Sequence, residues 1–278
     1  MTDHSDVLDA SRHQRILLER IVPASGIEQV SSLDHPRAVI LAGQPGAGKG
    51  ELIRSAHAEF RNDLVLVDPD ELRTFHPHVR AFQSESPYTW SGRTHADASQ
   101  WADELLEIGV AGKKNLVFDT TLSDGHRAAE LIEDLRSRGY DVEVRALASP
   151  KLESELGVDR RFTRNLDDYG NGRHVPEGAR DAIYGKLPVN LDTIHDRTGV
   201  PIRIFDREGV QHYDSRIDAR TPGQALEEAR LERLKNPAHT ERLRAGWDQQ
   251  AQWHYDLLHN SERNSNLDPS TTTQRISD

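Results

Sequence analysis

A glycine-rich loop at residues 43–50 constrains the fold more than any other stretch of this sequence. It reads Gly43-Gln44-Pro45-Gly46-Ala47-Gly48-Lys49-Gly50, with an apolar run before it and a helix-prone segment after it. A strand, a glycine-rich turn, a lysine and a helix together make a phosphate-binding P-loop, because glycines let backbone N–H groups face a phosphate and the helix directs its positive dipole end at the same anion. The sequence therefore predicts a nucleotide-binding segment made of Gly43, Gln44, Pro45, Gly46, Ala47, Gly48, Lys49, Gly50 and Glu51.

The loop departs from the usual pattern at one position. Gly50 stands where a Ser or Thr hydroxyl normally binds Mg²⁺. The alternative interpretation is an ordinary glycine-rich turn between a strand and a helix, but that does not explain why Lys49 follows three closely spaced glycines.

The overall charge favours some partners over others. The chain has 278 residues and a formal charge of −11, which argues against a nucleic-acid-binding surface because phosphate backbones require dense Lys and Arg. It has no cysteine, so disulfides and thiolate metal sites are excluded. No apolar stretch approaches the length of a membrane span, and the polar start, Met1 to Asp6, lacks a signal-peptide core. We therefore expect a cytoplasmic protein without membrane or nucleic-acid partners.

Apolar runs alternate with helix-prone segments through the first half of the chain. The runs at 38–42, 64–67, 115–121 and 142–147 are continuous, as in strands buried on both faces of a parallel sheet. The alternation predicts an α/β fold, a P-loop NTPase-like parallel sheet with helices on both faces. Other predicted features are a helix over 5–22, an irregular segment over 77–93, helices broken at 167–172 and a hairpin over 201–213.

The pattern also predicts how the chain is divided. We expect an N-terminal helix and loop at 1–36, a kinase domain at 37–215, a charged helical extension at 216–258 split near Pro237, and a disordered tail at 259–278.

Acidic residues follow two of the predicted strands, at the edge where ligands bind in open α/β sheets. Asp70 can orient an acceptor hydroxyl or take its proton; alternatively, it caps the helix that follows. Asp119 is suited to Mg²⁺, with Asp70 as a second metal candidate, or else it is a turn aspartate. Thr121 either contacts substrate or caps the next segment.

Four arginines form a basic cluster in this acidic chain, namely Arg160, Arg161, Arg164 and Arg173. Arginines stabilise a developing phosphoryl charge, although a solvated helix face explains most of such a cluster equally well. The histidines show no convincing metal-binding spacing, so a zinc site is set aside.

These motifs together resemble the zeta toxin family of small P-loop kinases. The matching segments begin with the P-loop and continue through Asp68-Pro69-Asp70, Phe75-His76-Pro77, Ser86-Pro87-Tyr88, Asn115 to Thr121, Arg138-Gly139-Tyr140, Leu156-Gly157 with Arg161, Arg173 with Pro176, Leu187-Pro188 with Asn190-Leu191, and Arg207-Glu208-Gly209-Val210 with Tyr213. They span about residues 37 to 215, and the combination is far more specific than any single motif.

The resemblance implies a kinase that uses ATP or GTP with Mg²⁺. In the best-known branch the acceptor is the 3′-hydroxyl of the sugar in UDP-N-acetylglucosamine, and a cognate antitoxin covers the nucleotide site. By position, Asp70 matches the catalytic base, Lys49 the P-loop lysine, and Arg161 and Arg173 the arginines that grip the triphosphate. Asp103 and Thr121 match acceptor-site positions.

Three departures from the family pattern leave alternatives open. Besides Gly50, Asp103 stands where the family usually has Glu, and Ser123 stands where an arginine contacts the acceptor. A related branch phosphorylates the ribose of NAD, so a dinucleotide acceptor is one alternative. An inactive, nucleotide-binding regulatory protein is the alternative that Gly50 favours. Adenylate kinases also carry Gly-Lys-Gly, so a glycine at position 50 is compatible with catalysis. Water and Asp68, Asp70 or Asp119 would then hold the metal.

Overall fold

A central, mostly parallel sheet organises the structure, which is a computed structural model describing residues 6–259. Over these residues the sheet has six strands in the order β2-β3-β1-β4-β5-β6. Its strands are β1 (Arg37–Ala42), β2 (Val65–Val67), β3 (Leu116–Thr120), β4 (Asp141–Leu147), β5 (Ile202–Phe205) and β6 (Gln211–Asp214). Only β6 runs antiparallel to its neighbour. The predicted fold class is confirmed, and the hairpin at 201–213 is β5–β6.

Helices occupy most of the connections. They are α1 (Ala10–Ile16), α2 (Val22–Ala24), α3 (Gly50–Glu59), α4 (Pro69–Leu72), α5 (Val79–Glu85), α6 (Trp90–Arg93), α7 (His95–Ala111), α8 (Gly125–Ser137), α9 (Lys151–Tyr169), α10 (Glu177–Thr198), α11 (Pro222–Lys235) and α12 (Pro237–His259). A π-helical turn (Leu17–Ile21) joins α1 to α2, and a 3₁₀ turn (Arg73–Phe75) follows α4.

The alternation of side chains along β1 explains why both sheet faces are covered. Val39 and Leu41 pack with α3, whereas Ala38, Ile40 and Ala42 belong to the larger core on the opposite face. Since β1 lies between β3 and β4, the P-loop that follows it emerges at the centre of the sheet edge.

Three predicted segments were wrong in detail. The helix break predicted at 167–172 begins only at Gly170, because α9 continues to Tyr169 and ends at this glycine in the left-handed conformation. The segment 77–93 is not irregular but contains α5 and α6; Pro77 precedes the first helix and Pro87 lies between them, so the prolines mark helix boundaries. The N-terminal helix begins at Ala10 rather than residue 5, because the Asp9 side chain caps it by accepting from the Arg12 N–H at 2.9 Å, and it continues past Pro23 to Ala24.

The C-terminal helices contact the rest of the fold. Leu226 and Ala225 of α11 are fully buried in the larger core, and α11 packs against α10, β5 and β6. Helix α12 packs along α9. The predicted tail falls outside the described residues except for His259, which ends α12. No helix within residues 6–259 is long and apolar enough to cross a membrane.

Truncating Leu191 should destabilise the fold strongly. Its side chain is completely buried on α10 in the larger core. We expect Leu191→Ala to lower the free energy of unfolding by about 2–5 kcal/mol, because both burial and packing are lost. Urea unfolding followed by circular dichroism measures the effect, with Ile217→Ala, at 87% exposure, as the control that should change little. An equal loss in both variants would contradict the assigned core.

Candidate functional site

Tight packing around the P-loop explains its glycines. Gly46 and Gly48 have φ angles of +77° and +101°, which side chains rarely adopt. A Cβ at Gly46 would lie 2.7 Å from the Val158 N atom, and one at Gly48 would lie 2.8 Å from Arg207 Nε. The loop is therefore held between α9 and the β5–β6 turn in a shape that only glycine permits.

The loop leads directly into α3 without a side-chain cap. Lys49 occupies the N-cap position and makes no capping hydrogen bond. The first N–H groups of a helix are otherwise satisfied by side chains, water or a ligand, and they attract anions. The ten-residue α3 thus directs an uncapped N-terminus at the space inside the loop.

Lys49 connects the loop to the end of β3. Its Nζ lies 2.8 Å from Asp119 Oδ1, and it donates to the backbone oxygens of Thr120 at 2.9 Å and Gly43 at 3.3 Å. This contact follows from the pairing of β1 with β3, which aligns Leu41 with Asp119. The structure thus brings the predicted lysine and the predicted Walker-B-like acid together.

Asp70 lies among arginines at the end of β2. Its Oδ2 forms an ion pair with Arg173 Nη1, and its Oδ1 lies 3.3 Å from Arg73 Nε. Burial alone would raise the pKa of this carboxyl, but the cations of Arg173, Arg73 and Arg161 outweigh burial and hold it below its usual value. Asp70 is therefore ionised at neutral pH and able to accept a proton.

The helix-cap role belongs to Asp68 instead. Its side chain accepts from the Asp70 N–H at 2.8 Å and caps α4, so the alternative interpretation of Asp70 as the cap is wrong. Burial and then the neighbouring charge of Asp119 raise the pKa of Asp68 to about 6. Excess negative charge thus accumulates between the ends of β2 and β3.

This negative charge suits a cation, but the residues do not form a complete metal cage. Within residues 6–259, no three His, Asp or Glu side chains are arranged to hold a metal ion by themselves. Mg²⁺ commonly takes one or two carboxylates, and water and substrate phosphates complete its shell. The carboxylates of Asp68, Asp70 and Asp119 fit that limited role, and Gly50 supplies no hydroxyl.

Arg161 has a side-chain donor without a hydrogen-bond partner in residues 6–259. Its Nε is buried and, within the described part of the chain, has no hydrogen-bond partner. Burial and then the like charge of Arg173 lower the pKa of Arg161, although an arginine stays protonated at neutral pH. A buried, charged donor beside a second cation is stabilised by an incoming anion. The other two arginines of the predicted cluster differ, since Arg164 is exposed and Arg160 lies against Gly246 of α12.

The predicted acceptor residues lie on α7 and on the loop after β3. Asp103 is exposed and lies 3.3 Å from Arg127 Nη2 of α8. The loop containing Thr121 and Ser123 is held by Asn190, whose side chain donates to the Leu122 backbone oxygen at 2.7 Å. Asp124, and not Thr121, caps α8.

Sequence reasoning missed three arginines around the site. Arg73 is almost fully buried and contacts Asp70, and its spacing of three residues from Asp70 on a helix was a usable signal. Arg127 of α8 pairs with Asp103 and lies four residues after Ser123 in the sequence. Arg207 was noted only as part of a matching segment and was given no role; it donates to the backbone oxygens of Gly46 and of Ala47, the latter at 2.8 Å, from about 160 residues away.

Replacing Arg173 should raise the pKa of Asp70. In Arg173→Gln the largest opposing cation is lost while the effect of burial remains, so the carboxyl should protonate at higher pH than in the wild type. A ¹³C NMR titration of the Asp70 carboxyl measures this shift without any substrate. Arg164→Gln, a change of the same charge on an exposed position, should leave the titration unchanged. An unaltered midpoint in Arg173→Gln would contradict the assigned ion pair.

Comparison with known proteins identifies the family. The zeta toxin family model matches residues 24–218, which is most of the chain. The chain belongs to the zeta toxin family. It is 30% identical over 201 residues to toxin zeta of Streptococcus pyogenes, covering 68% of this chain and 67% of that relative. Toxin PezT of Streptococcus pneumoniae serotype 4 is 26% identical over 199 residues, covering 71% and 79%.

Solved structures agree with the fold of this zeta toxin family member. The PezAT chromosomal toxin–antitoxin system of Streptococcus pneumoniae contains a chain that superposes with a TM-score of 0.79 at 23% identity, covering 89% of this chain and 98% of that one. The AvrRxo1-ORF1:ORF2 complex with ATP superposes with a TM-score of 0.52 at 19% identity, covering 72% and 66%. Zeta toxins are P-loop kinase-like toxins, and the described site lies within the matched residues.

Proposed function

We propose that this protein is an ATP-dependent kinase that transfers the γ-phosphate to a sugar hydroxyl of a nucleotide-sugar. The observation that carries the proposal is Arg161, a half-buried cation whose buried Nε lacks a partner within residues 6–259 and which lies near Arg173 and the acids of the site. An unpaired buried donor adds nothing to stability, because it destabilises the fold by about 1–3 kcal/mol. A phosphate oxygen supplies the missing acceptor.

Each charged group then has a role in phosphoryl transfer. The backbone of the P-loop and the α3 N-terminus bind the phosphates, and Lys49 neutralises the β- and γ-phosphates. Arg161 and Arg173 stabilise the charge that spreads over the transferred group. Asp70, kept ionised by its arginine neighbours, takes the proton of the attacking hydroxyl.

Magnesium is part of this proposal. Asp119, Asp68 or Asp70 would hold it through one or two carboxylates or through water, in place of the hydroxyl that Gly50 lacks. Bound there, Mg²⁺ neutralises charge on the phosphate oxygens. Since Lys49 contacts Asp119 at 2.8 Å, the lysine must release part of this contact when phosphate and metal bind.

For the acceptor we propose the 3′-hydroxyl of UDP-N-acetylglucosamine. This choice is supported by family membership and by the sequence resemblance in which Asp103 and Thr121 match acceptor-site positions. Arg127, next to Asp103, offers the positive charge that Ser123 does not supply and suits a diphosphate. GTP could replace ATP, since no described contact selects the base.

The test is a product analysis with purified protein. Mg-ATP is incubated with UDP-N-acetylglucosamine, other UDP-sugars, NAD and nucleosides, and phosphorylated products are identified by mass and located by ³¹P NMR. Phosphorylated UDP-N-acetylglucosamine from the wild type but not from Asp70→Asn supports the proposal. Phosphorylated NAD alone would show the dinucleotide alternative, and ATP binding without any product would show the inactive alternative; either result overturns the proposed acceptor.

We also propose a cognate antitoxin as a protein partner, because the structural relative comes from the PezAT toxin–antitoxin system. Deleting the chain from about residue 220 onward would not locate the surface that binds the antitoxin. The deletion would remove Leu226, which is fully buried in the core, and so would disturb the fold itself. Charge reversals on the exposed faces of α1 and α12, read out by loss of co-purification, address the question in the folded protein.

A further inference from the structure

One arginine of α11 reaches the phosphate-binding loop from the C-terminal part of the chain. Arg230 is 1% exposed, and its Nη2 lies 3.3 Å from Oε1 of Gln44, the second residue of the loop. Its Nη1 donates to Glu227 Oε1 at 2.6 Å, and the guanidinium stacks on the Tyr184 ring at 3.8 Å. The charge of Arg230 is therefore paired and both of its terminal nitrogens are held, whereas its buried Nε has no hydrogen-bond partner within residues 6–259.

Gln44 is equally constrained on its other side. It is 2% exposed, and its Nε2 donates to the Ser149 backbone oxygen at 2.8 Å and to Ser154 Oγ at 3.2 Å. Because the Ser149 oxygen can only accept, the amide nitrogen faces it and the amide oxygen faces Arg230. Gln44 thus links the loop to the end of β4, to α9 and to α11.

This link acts on the loop backbone itself. The Gln44 backbone oxygen accepts from the Ala47 N–H at 3.1 Å, closing the turn that contains Gly46. A second arginine of α11 supports the same region, since Arg233 binds Glu153 at 2.7 and 2.8 Å and Glu153 accepts from Ser149 Oγ at 3.1 Å. Moving α11 would therefore shift both Ser149 and the loop.

We propose that Arg230 is a positioning residue for nucleotide binding, which acts through Gln44 to hold the P-loop in its phosphate-binding shape. The inference rests on the proposed binding of ATP at this loop. It makes α11 a component of the nucleotide site, although Arg230 itself touches no phosphate.

The test compares ATP affinity with stability in single and double variants. Arg230→Met and Gln44→Ala should each weaken ATP binding by about tenfold or more, the effect of one lost hydrogen bond to a charged group. The double variant should bind ATP about as tightly as the single variant with the lower ATP affinity, because the two residues act as one unit. Arg230→Lys, which keeps the charge, should recover part of the affinity. Isothermal titration calorimetry measures binding, and thermal unfolding measures stability.

Arg145 provides a matched control. It is also almost fully buried and ion-paired, but its partners are Glu59 and Glu143, away from the loop. Arg145→Met should lower the unfolding temperature without changing ATP affinity. Unchanged affinity in Gln44→Ala would overturn the inference even if Arg230→Met fails to fold. If Arg230→Met folds, unchanged affinity in that variant, or effects that add in the double variant, would overturn it as well. Absence of ATP binding by the wild type would instead overturn the proposed function.

Discussion

Replacing Asp70 by asparagine is expected to lower kcat for phosphoryl transfer by about 10²–10⁴-fold, the usual contribution of a positioned general base. Asparagine has the same shape as aspartate but cannot take the proton of the acceptor hydroxyl. In the wild type, Arg173 and Arg73 keep Asp70 ionised, so essentially every molecule carries the competent base at neutral pH. Steady-state kinetics with the acceptor found in the product analysis measures the loss.

A neighbouring residue controls for charge. Glu71→Gln removes an exposed carboxylate one residue further along α4, and its kcat should stay close to that of the wild type. ATP affinity, measured by calorimetry, should change much less in Asp70→Asn than kcat does, since the carboxylate acts on the acceptor. Wild-type turnover in Asp70→Asn would exclude Asp70 as the base.

The second large effect is expected for Arg161→Met, with a loss of about 10³–10⁵-fold in kcat, as for other arginines that stabilise a transferred phosphoryl group. Methionine fills much of the same volume but removes the charge. This change should leave the unfolding temperature unchanged or raise it, because it removes the buried Nε, which has no partner within residues 6–259, and the repulsion with Arg173. Burial and this repulsion together outweigh the attraction of Arg161 to Asp70, Asp68 and Asp119.

This opposite behaviour of activity and stability separates a functional arginine from a structural one. Arg164→Met, three residues further along α9 on an exposed position, should change neither quantity strongly. If Arg161→Met instead unfolded the protein and retained activity per folded molecule, Arg161 would be a packing residue.

Local sequence features predicted the fold and the centre of the site. The P-loop, the buried strands and the acids after them follow from short motifs and from the rule that parallel strands end at one edge. Prolines were harder to interpret, since Pro77 and Pro87 bound helices over a segment that was expected to be irregular.

Long-range contacts could not be read from the sequence. Arg207 and Arg230 support the loop from positions about 160 and 186 residues away, and an arginine on a charged helix looks like any solvated residue until the tertiary structure buries it. The role of Asp68 as cap of α4 had a local signal, since Pro69 directly follows it at the first helical position.

The packing of α11 has a consequence for the order of events during protein synthesis. Residues 37–120 include the P-loop, Asp70 and Asp119, so this part of the proposed site leaves the ribosome before Arg161 and Arg173. However, Leu226 of α11 is part of the larger hydrophobic core, and Arg230 of α11 contacts Gln44 of the P-loop. A nascent chain arrested before α11 emerges should therefore lack a stable nucleotide site. Synthesis of α11 would then be the step that completes the support of the phosphate-binding loop.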